Sequence, residues 1–500
     1  MIDRFVVWSR RHRFELAVLL LVLVMGGALR WYDVGPAMHF GTDEGRDAFV
    51  VSSLVTGEEV PLLGPAAPNN RPDFHLGPFF YYLLSPFYLI GQSSPQSGAV
   101  AIALFSTASI ILVYLLARDL WGWIAGLSAA GLFAVSFFMV YYGRWVWNPN
   151  FVPFFILGLL YCLLRVVQSG THRSYWLYGG AALLGGIIQL HGTALLVVPV
   201  VVAVVLVWYR PAVRWWQYLI GLGIVGLMHI PLGIYELTHR FANSRGFIRV
   251  MTQADSGTHL GWGTRVNRLY HLVESFFQES IAHGIPVWLW RGTALLIIIS
   301  VVWMLYRAWF DPIVRRAAVF LGVWLAVTIG VFVFYQEAIP PHYFAIIFPL
   351  PFLLIGWLVQ AAWQWQRARV LLLMFITAVV GGQLWFSVQF LVDVSPHGSR
   401  ASSYPVRLDE MQWAVDTIIT HAHSDSYSFQ SRPIGAYDRS FAYLFDRAGV
   451  TLSAAPTVYR YEATIQQEPP VIQSDERVTQ VQQSGPLRVY ALQLSETHSQ

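Results

Sequence analysis

The 500-residue chain is 56% hydrophobic and 15% aromatic, with 12% charged residues and a mean hydropathy of +0.50. A soluble globular domain carries about 25% charged residues, so this composition excludes one and predicts an all-α polytopic membrane protein with a modest soluble part. A net charge of +4, one cysteine inside an apolar run (Cys162) and a complete lack of lysine argue against a nucleic-acid face, an intramolecular disulfide and a cysteine-based metal site, and leave arginine and histidine as the cationic side chains.

Arg4, Arg10, Arg11 and Arg13 precede an apolar run from Phe14 to Leu29 with no small-residue cleavage site after it. This reads as an uncleaved first span whose N-terminus is cytoplasmic. Ten further segments of spanning character follow: Val100–Leu116, Trp123–Tyr141, Phe151–Val166, Tyr175–Leu190, Thr193–Tyr209, Trp216–Tyr235, Ile285–Tyr306, Ala317–Tyr335, Phe344–Ala361 and Val370–Leu391. About eleven spans are thus expected. Leu76–Gly91 is a shorter candidate, interrupted by Pro78 and Pro86. Arg118, Arg165, Arg173, Arg210, Arg214, Arg307, Arg315, Arg316, Arg367 and Arg369 all join the N-terminus in the cytoplasm if Leu76–Gly91 does not cross. The positive-inside rule therefore makes it an interfacial or re-entrant helix on the outer side. The Glu236–Pro286 loop is outside on the same count, although it carries Arg240, Arg245, Arg249, Arg265 and Arg268. A cationic outer loop suits a phosphate-bearing ligand.

Beyond Asp393 the composition turns polar. An amphipathic helix is expected over Arg407–His421, with strands at Ser426–Gln430, Thr457–Tyr461 and Leu487–Leu494, while Pro469–Ser484 reads as loop. The expected organisation is a membrane domain over 1–392 and a small extracytoplasmic α/β domain over 393–500.

The chemistry concentrates at the outer edge. His39-Phe40-Gly41-Thr42-Asp43-Glu44-Gly45-Arg46-Asp47 puts three acids within five residues, whereas no acid occurs from Leu120 to Tyr235. Carboxylates at a membrane edge are costly unless solvated, paired or used. A solvated acidic loop is the plain alternative to a catalytic carboxylate at the mouth of a cavity. Arg71-Pro72-Asp73-Phe74-His75-Leu76-Gly77-Pro78, the Gly143–Asn150 turn with Arg144 and Asn148, the Leu190-His191-Gly192 kink and Gln336-Glu337-Ala338-Ile339-Pro340-Pro341-His342-Tyr343 join Asp43 at or near the outer face. His75 and His191 also suit hydrogen-bonded structural roles. Tyr81, Tyr82, Trp145 and Trp147 read as interfacial belt aromatics.

This pattern, from the N-terminus to about Ala361, resembles the GT-C superfamily of membrane glycosyltransferases, in its protein O-mannosyltransferase and lipid A aminoarabinose transferase branch. The acidic pair Asp43-Glu44 is the most specific element. The resemblance implies a sugar donor on a polyprenyl phosphate, an extracytoplasmic acceptor, Asp43 as general base, Glu44 as its neighbour or orienter, and Arg46 paired with the acid or with phosphate. Arg46, His75, Arg144, Asn148, His191, Glu337, His342 and Tyr343 would contact substrate. The chain departs from the pattern where relatives carry lysine (here His75 and His191) and aspartate (here Asn148). Asn148 can accept a sugar hydroxyl but cannot be a base, which concentrates that role on Asp43.

A sugar 1-phosphate is already a good leaving group, so one carboxylate and one or two cations suffice for direct displacement with inversion. No cofactor or essential metal is expected. A lipid or sugar transporter is the competing reading, but such proteins carry internal repeats and midplane polar groups, and neither appears in this sequence. A membrane scaffold would leave the one-sided grouping of these residues unexplained.

Overall fold

The computed structural model describes residues 12–66, 74–168, 172–252, 261–282, 285–335, 339–397, 406–422, 427–433, 435–453, 459–465, 470–473 and 476–494. In chain order the helices are α1 (Arg13–Trp31), α2 (Thr42–Thr56), α3 (Phe79–Ile90), α4 (Gln96–Trp121), α5 (Trp123–Val135), α6 (Phe137–Tyr142), α7 (Val152–Gln168), α8 (Arg173–Leu190), α9 (Gly192–Tyr209) and α10 (Trp215–Met228). There follow α11 (Ile230–Thr238), α12 (Ala242–Thr252), α13 (Trp262–Ala282), α14 (Val287–Phe310), α15 (Pro312–Phe334), α16 (Leu350–Ala362) and α17 (Gln366–His397). The C-terminal lobe holds α18 (Leu408–Ala422), β1 (Tyr427–Arg432), α19 (Asp438–Arg447), β2 (Tyr459–Ile465), β3 (Glu476–Ser484) and β4 (Leu487–Leu494).

Seven helices among the described residues are long and apolar enough to cross a bilayer, and eight if α10 and α11, bent by 61°, form one span. The chain is a multi-pass membrane protein. Every expected apolar segment is helical, but four are not simple spans: Trp123–Tyr141 is broken, Trp216–Tyr235 is bent, Phe344–Ala361 opens with a 3₁₀ turn (Pro341–Ile346) before α16, and Tyr175–Leu190 forms the less apolar α8. With 12 residues at 1.5 Å each, α3 is roughly 18 Å long, too short for a hydrocarbon core of about 30 Å. That length accords with the non-crossing role expected of Leu76–Gly91.

Backbone freed at helix breaks is satisfied by neighbouring side chains, as membrane depth requires. Where α5 gives way to α6, Arg30 of α1 donates to the carbonyls of Ala134 (2.8 Å) and Phe133 (3.3 Å), Ser387 of α17 to that of Val135 (3.2 Å), and the Phe137 N–H reaches Gln383 Oε1 (2.9 Å). A cation on helix-terminal carbonyls also complements the helix dipole.

The C-terminal sheet has the order β1-β2-β4-β3, with β1 and β2 parallel and the other pairs antiparallel. The parallel pair needs a crossover, which α19 supplies. The expected loop over Pro469–Ser484 is corrected in its second half: β3 pairs with β4 from Glu476 to Ser484. Its exposed outer face, with glutamines in place of an apolar alternation, hid it from a pattern reading. The lobe shares one buried core with the membrane helices. It grips the segment between α1 and α2 through Leu408 N to Met38 O and Asp409 N to Pro36 O (both 3.1 Å), a bridge between His39 and Arg407, and an Arg407–Asp33 ion pair at 3.1 Å.

Candidate active site

The acid-rich stretch is not a loop but the start of a helix. Gly41 caps α2, and Glu44 Oε2 accepts the Gly41 N–H at 2.9 Å, the return half of a capping box. Asp43 and Glu44 thereby fall in the first turn, where carboxylates are favoured by the helix dipole.

The helix sits under the C-terminal lobe. The Thr42 N–H donates to Ala436 O (3.0 Å), the Thr42 hydroxyl to Gly435 O (2.7 Å), and the Ser440 hydroxyl to Gly41 O. A Cβ at Gly45 would lie 2.5 Å from Ser440 N and 2.6 Å from its Cα, so only glycine allows α19 this close.

Asp43 is the open acid of the group, 46% exposed at its side chain. Arg46 donates through one guanidinium nitrogen to Asp43 Oδ1 at 2.8 Å and through the other two nitrogens to Asp47 Oδ1 at 2.8 and 2.9 Å. Glu44 is buried. Burial pushes its carboxyl up, but the His39 imidazole 3.4 Å away and the indole N–H of Trp145 on Oε1 outweigh it and hold Glu44 below the usual range. Glu44 is therefore an ionised, fully engaged group that fixes its surroundings.

From Glu44 a row of rings crosses to the far side. Trp145 stacks on Trp147 (centroids 4.9 Å), Trp147 meets His342 (4.3 Å), and His342 meets His191 (5.6 Å) and Tyr343 (4.9 Å). The Gly143–Asn150 turn, the α8–α9 kink and the 3₁₀ turn before α16 are thus neighbours. Trp145 and Trp147, expected as belt aromatics, lie between the two halves of this site. Trp-x-Trp between the acid-free apolar runs was the available signal.

At the kink, His191 Nδ1 accepts the Thr193 N–H at 3.2 Å and caps α9. A backbone N–H can only donate, so the ring proton sits on Nε2. Burial depresses His191 to about 3, with His342 adding to the effect, and depresses His342 to about 4. Both are neutral imidazoles: they can donate a hydrogen bond to a phosphate but bring no charge.

The remaining expected residues are dispersed or structural. Arg144 is buried and directs one guanidinium nitrogen at the carbonyls of Leu29 (3.3 Å), Arg30 (3.1 Å) and Tyr32 (2.7 Å), closing the end of α1. Asn148 Nδ2 donates to Leu190 O at 2.6 Å and ties the outer turn to the kink. The backbone of His75 is held by Asn243 at 2.7 and 3.0 Å, and its Nδ1 lies 3.1 Å from Gly64 O. Glu337 lies outside the described residues. Two groups absent from the expected set, Asp47 and Tyr81, meet at 3.1 Å against Arg46. Among the described residues, no three His, Cys, Asp or Glu side chains gather to hold a metal ion.

A family profile described as dolichyl-phosphate-mannose-protein mannosyltransferase matches residues 71–235, a stretch that begins beyond α2. No curated protein matches the chain by sequence. ArnT from Cupriavidus metallidurans in the apo state superposes with a TM-score of 0.59 at 14% identity, over 97% of this chain and 98% of that one. The same protein bound to undecaprenyl phosphate gives 0.57 at 12%, again over 97% and 98%. The Archaeoglobus fulgidus oligosaccharyltransferase in complex with Zn and sulfate gives 0.50 at 14%, over 88% of this chain and 57% of that one. The chain has the GT-C fold of the membrane glycosyltransferases, in the ArnT-like arrangement that continues into a C-terminal lobe, and the resemblance read from Asp43-Glu44 and the later motifs holds at the level of the fold.

Proposed function

We propose that the protein is a membrane glycosyltransferase that moves a sugar from a polyprenyl-phosphate donor to an extracytoplasmic lipid, glycan or protein acceptor. The observation that carries this reading is Asp43: a half-exposed carboxylate with Oδ1 held by Arg46 and, among the described residues, no protein partner on Oδ2. It belongs to a fold shared with a protein crystallised with undecaprenyl phosphate.

In this mechanism Asp43 Oδ2 accepts the proton of the acceptor hydroxyl as its oxygen attacks the anomeric carbon. The bond from that carbon to the phosphate oxygen breaks on the opposite face, and polyprenyl phosphate leaves with the electron pair. One displacement inverts the anomeric centre. Glu44, held by Gly41, His39 and Trp145, keeps the first turn of α2 in place. The leaving phosphate is met by neutral donors from His191 and His342 and by arginines of the outer segments, among them the exposed Arg245 of α12. The site faces the extracytoplasmic side, and no metal is required because the leaving group needs no further activation.

The test is transfer by the purified protein from radiolabelled undecaprenyl-phosphate sugars, with membrane lipid, glycan and peptide acceptors and with chelator present throughout. Product of inverted configuration is the expected result. No transfer from any such donor into any acceptor overturns the reading, and transfer that appears only when a divalent ion is restored overturns its metal-free form.

A further inference from the structure

Asp47 has no part in the chemistry above, yet it is the most enclosed acid beside the proposed base. It lies one turn beyond Asp43 on α2, and its side chain is 4% exposed against 46% for Asp43. Its two oxygens are treated very differently. Oδ1 receives Arg46 twice, at 2.9 and 2.8 Å, and the Tyr81 hydroxyl at 3.1 Å. Oδ2 is buried without a hydrogen-bond partner. An unsatisfied buried carboxylate oxygen is destabilising, a cost that pinning α2 to α3 does not by itself call for. Two of the three guanidinium nitrogens of Arg46 turn inward to this carboxylate. The third then reaches Asp43 through a single contact.

We propose that Asp47 is a positioning residue whose carboxylate anchors two arms of Arg46, leaving the third to hold Asp43 Oδ1 and keep Oδ2 open to the acceptor hydroxyl. The proposal rests on Asp43 being the base. Without the anchor, the Arg46 fork is free to pair with both oxygens of Asp43, the preferred geometry of an arginine–carboxylate pair. That pairing occupies the lone pairs the acceptor proton needs, and the base is withdrawn although still present.

The groups facing Asp47 are Arg46, Asp43 and Glu44 from its own helix and Tyr81 and Tyr88 from α3; Tyr88 also feels Tyr443 and Arg447 of α19. Burial pushes the Asp47 carboxyl up to about 7; Arg46 opposes this, and Asp43 and Glu44 add to it. The anchored form therefore builds up as pH rises through neutrality. Because the folded value of about 7 lies above the usual carboxylate value of 3.8, ionising Asp47 costs folding stability; that cost accumulates as pH rises from the usual carboxylate range, is still growing between pH 6 and 7, and levels off above it.

The experiment uses the full chain in phosphatidylethanolamine and phosphatidylglycerol nanodiscs, with the undecaprenyl-phosphate sugar that the wild type accepts. Turnover and the thermal unfolding midpoint are followed from pH 6 to 9 for wild type, Asp47→Asn, Asp47→Glu and Asp43→Asn. Wild-type kcat is expected to rise about tenfold between pH 6 and 8, as a group titrating near 7 requires. Asp47→Asn should lower kcat at pH 8 by about tenfold, leave the donor KM within about twofold and flatten the profile. Its unfolding midpoint should match or exceed wild type, most clearly at pH 8, while Asp47→Glu should retain the pH-dependent limb. Opposite signs in activity and stability separate positioning from a structural role. Unchanged kcat in Asp47→Asn overturns the proposal. So does a joint loss of kcat and midpoint, or a raised KM with intact kcat. A wild type that transfers nothing defeats the glycosyltransferase reading instead. The midpoint difference between wild type and Asp47→Asn then decides alone: growth from pH 6 to 8 upholds the buried charge on Arg46, and a constant difference overturns it.

Discussion

Asparagine at position 43 keeps the shape of the carboxylate and an acceptor for Arg46 but cannot take a proton at working pH. Asp43→Asn is expected to lower single-turnover transfer by about 10²–10⁴-fold, the range of general-base assistance, with normal insertion and an unchanged unfolding midpoint. Activity within about threefold of wild type removes Asp43 from the mechanism. Glu44→Gln has a different signature. It weakens the contacts with His39 and Trp145 and should cost both stability and turnover. His191 and His342 give a further test at this scale. Both are held neutral, to about 3 and about 4, against an ordinary value of 6.5. The stability they contribute is present above 6.5 and is lost as pH falls towards those folded values. Unfolding midpoints should drop between pH 6.5 and 4, and His342→Gln should flatten that slope. An equally steep slope in the variant assigns the acid sensitivity elsewhere.

Elements meet here through contacts that tolerate little change. A methyl group at position 45 collides with the Ser440 backbone rather than with a flexible side chain, so Gly45→Ala must push α19 off α2. Overpacking of this kind costs about 1–3 kcal/mol, and the C-terminal lobe should become sensitive to protease while the membrane helices stay intact. Protection equal to wild type means the close approach does not hold the lobe. The α5–α6 break makes a parallel case. Gln383→Leu leaves the buried Phe137 N–H without its acceptor, an expected loss of about 1–3 kcal/mol read from the unfolding midpoint in detergent. The three arms of one guanidinium are shared between Asp43 and Asp47, so α2 carries the proposed base, its holder and the proposed anchor of that holder within five residues.

At the scale of the whole molecule, topology is the quantity to measure. The arginine parity predicts Asp43 and Asp393 together outside and Arg118 and Arg307 inside. With Cys162 replaced by serine, single cysteines at 43 and 393 should label from the outer face and those at 118 and 307 from the inner one. Labelling of 43 and 393 from opposite faces overturns the arrangement. The shared core adds a second expectation. The lobe covers Phe40 and Gly41 and ion-pairs with Asp33, so a chain ending at Asp393 should insert but lose transfer.

The helical membrane character, the helical segments and the short helix within Leu76–Gly91 were all legible in the sequence, because hydropathy acts locally and the bilayer imposes the lengths. Asp43 and Glu44 stood out for the same reason: acids are conspicuous in a chain that avoids them. Nothing local announced that Arg144 would close α1, that Trp145 would reach Glu44, or that α19 would lie on Gly45. Those partners are about a hundred to four hundred residues apart and are chosen by packing. Nor did the stretch Asp43 to Asp47 reveal which acid would face water and which would be buried. That difference is set by Tyr81 and the neighbouring helices, which enclose Asp47 and leave Asp43 half exposed. Sequence determined the class of residue available for the chemistry, and the tertiary structure decided which copy of it could be desolvated, held or left open, because burial and hydrogen-bond geometry belong to the assembled fold.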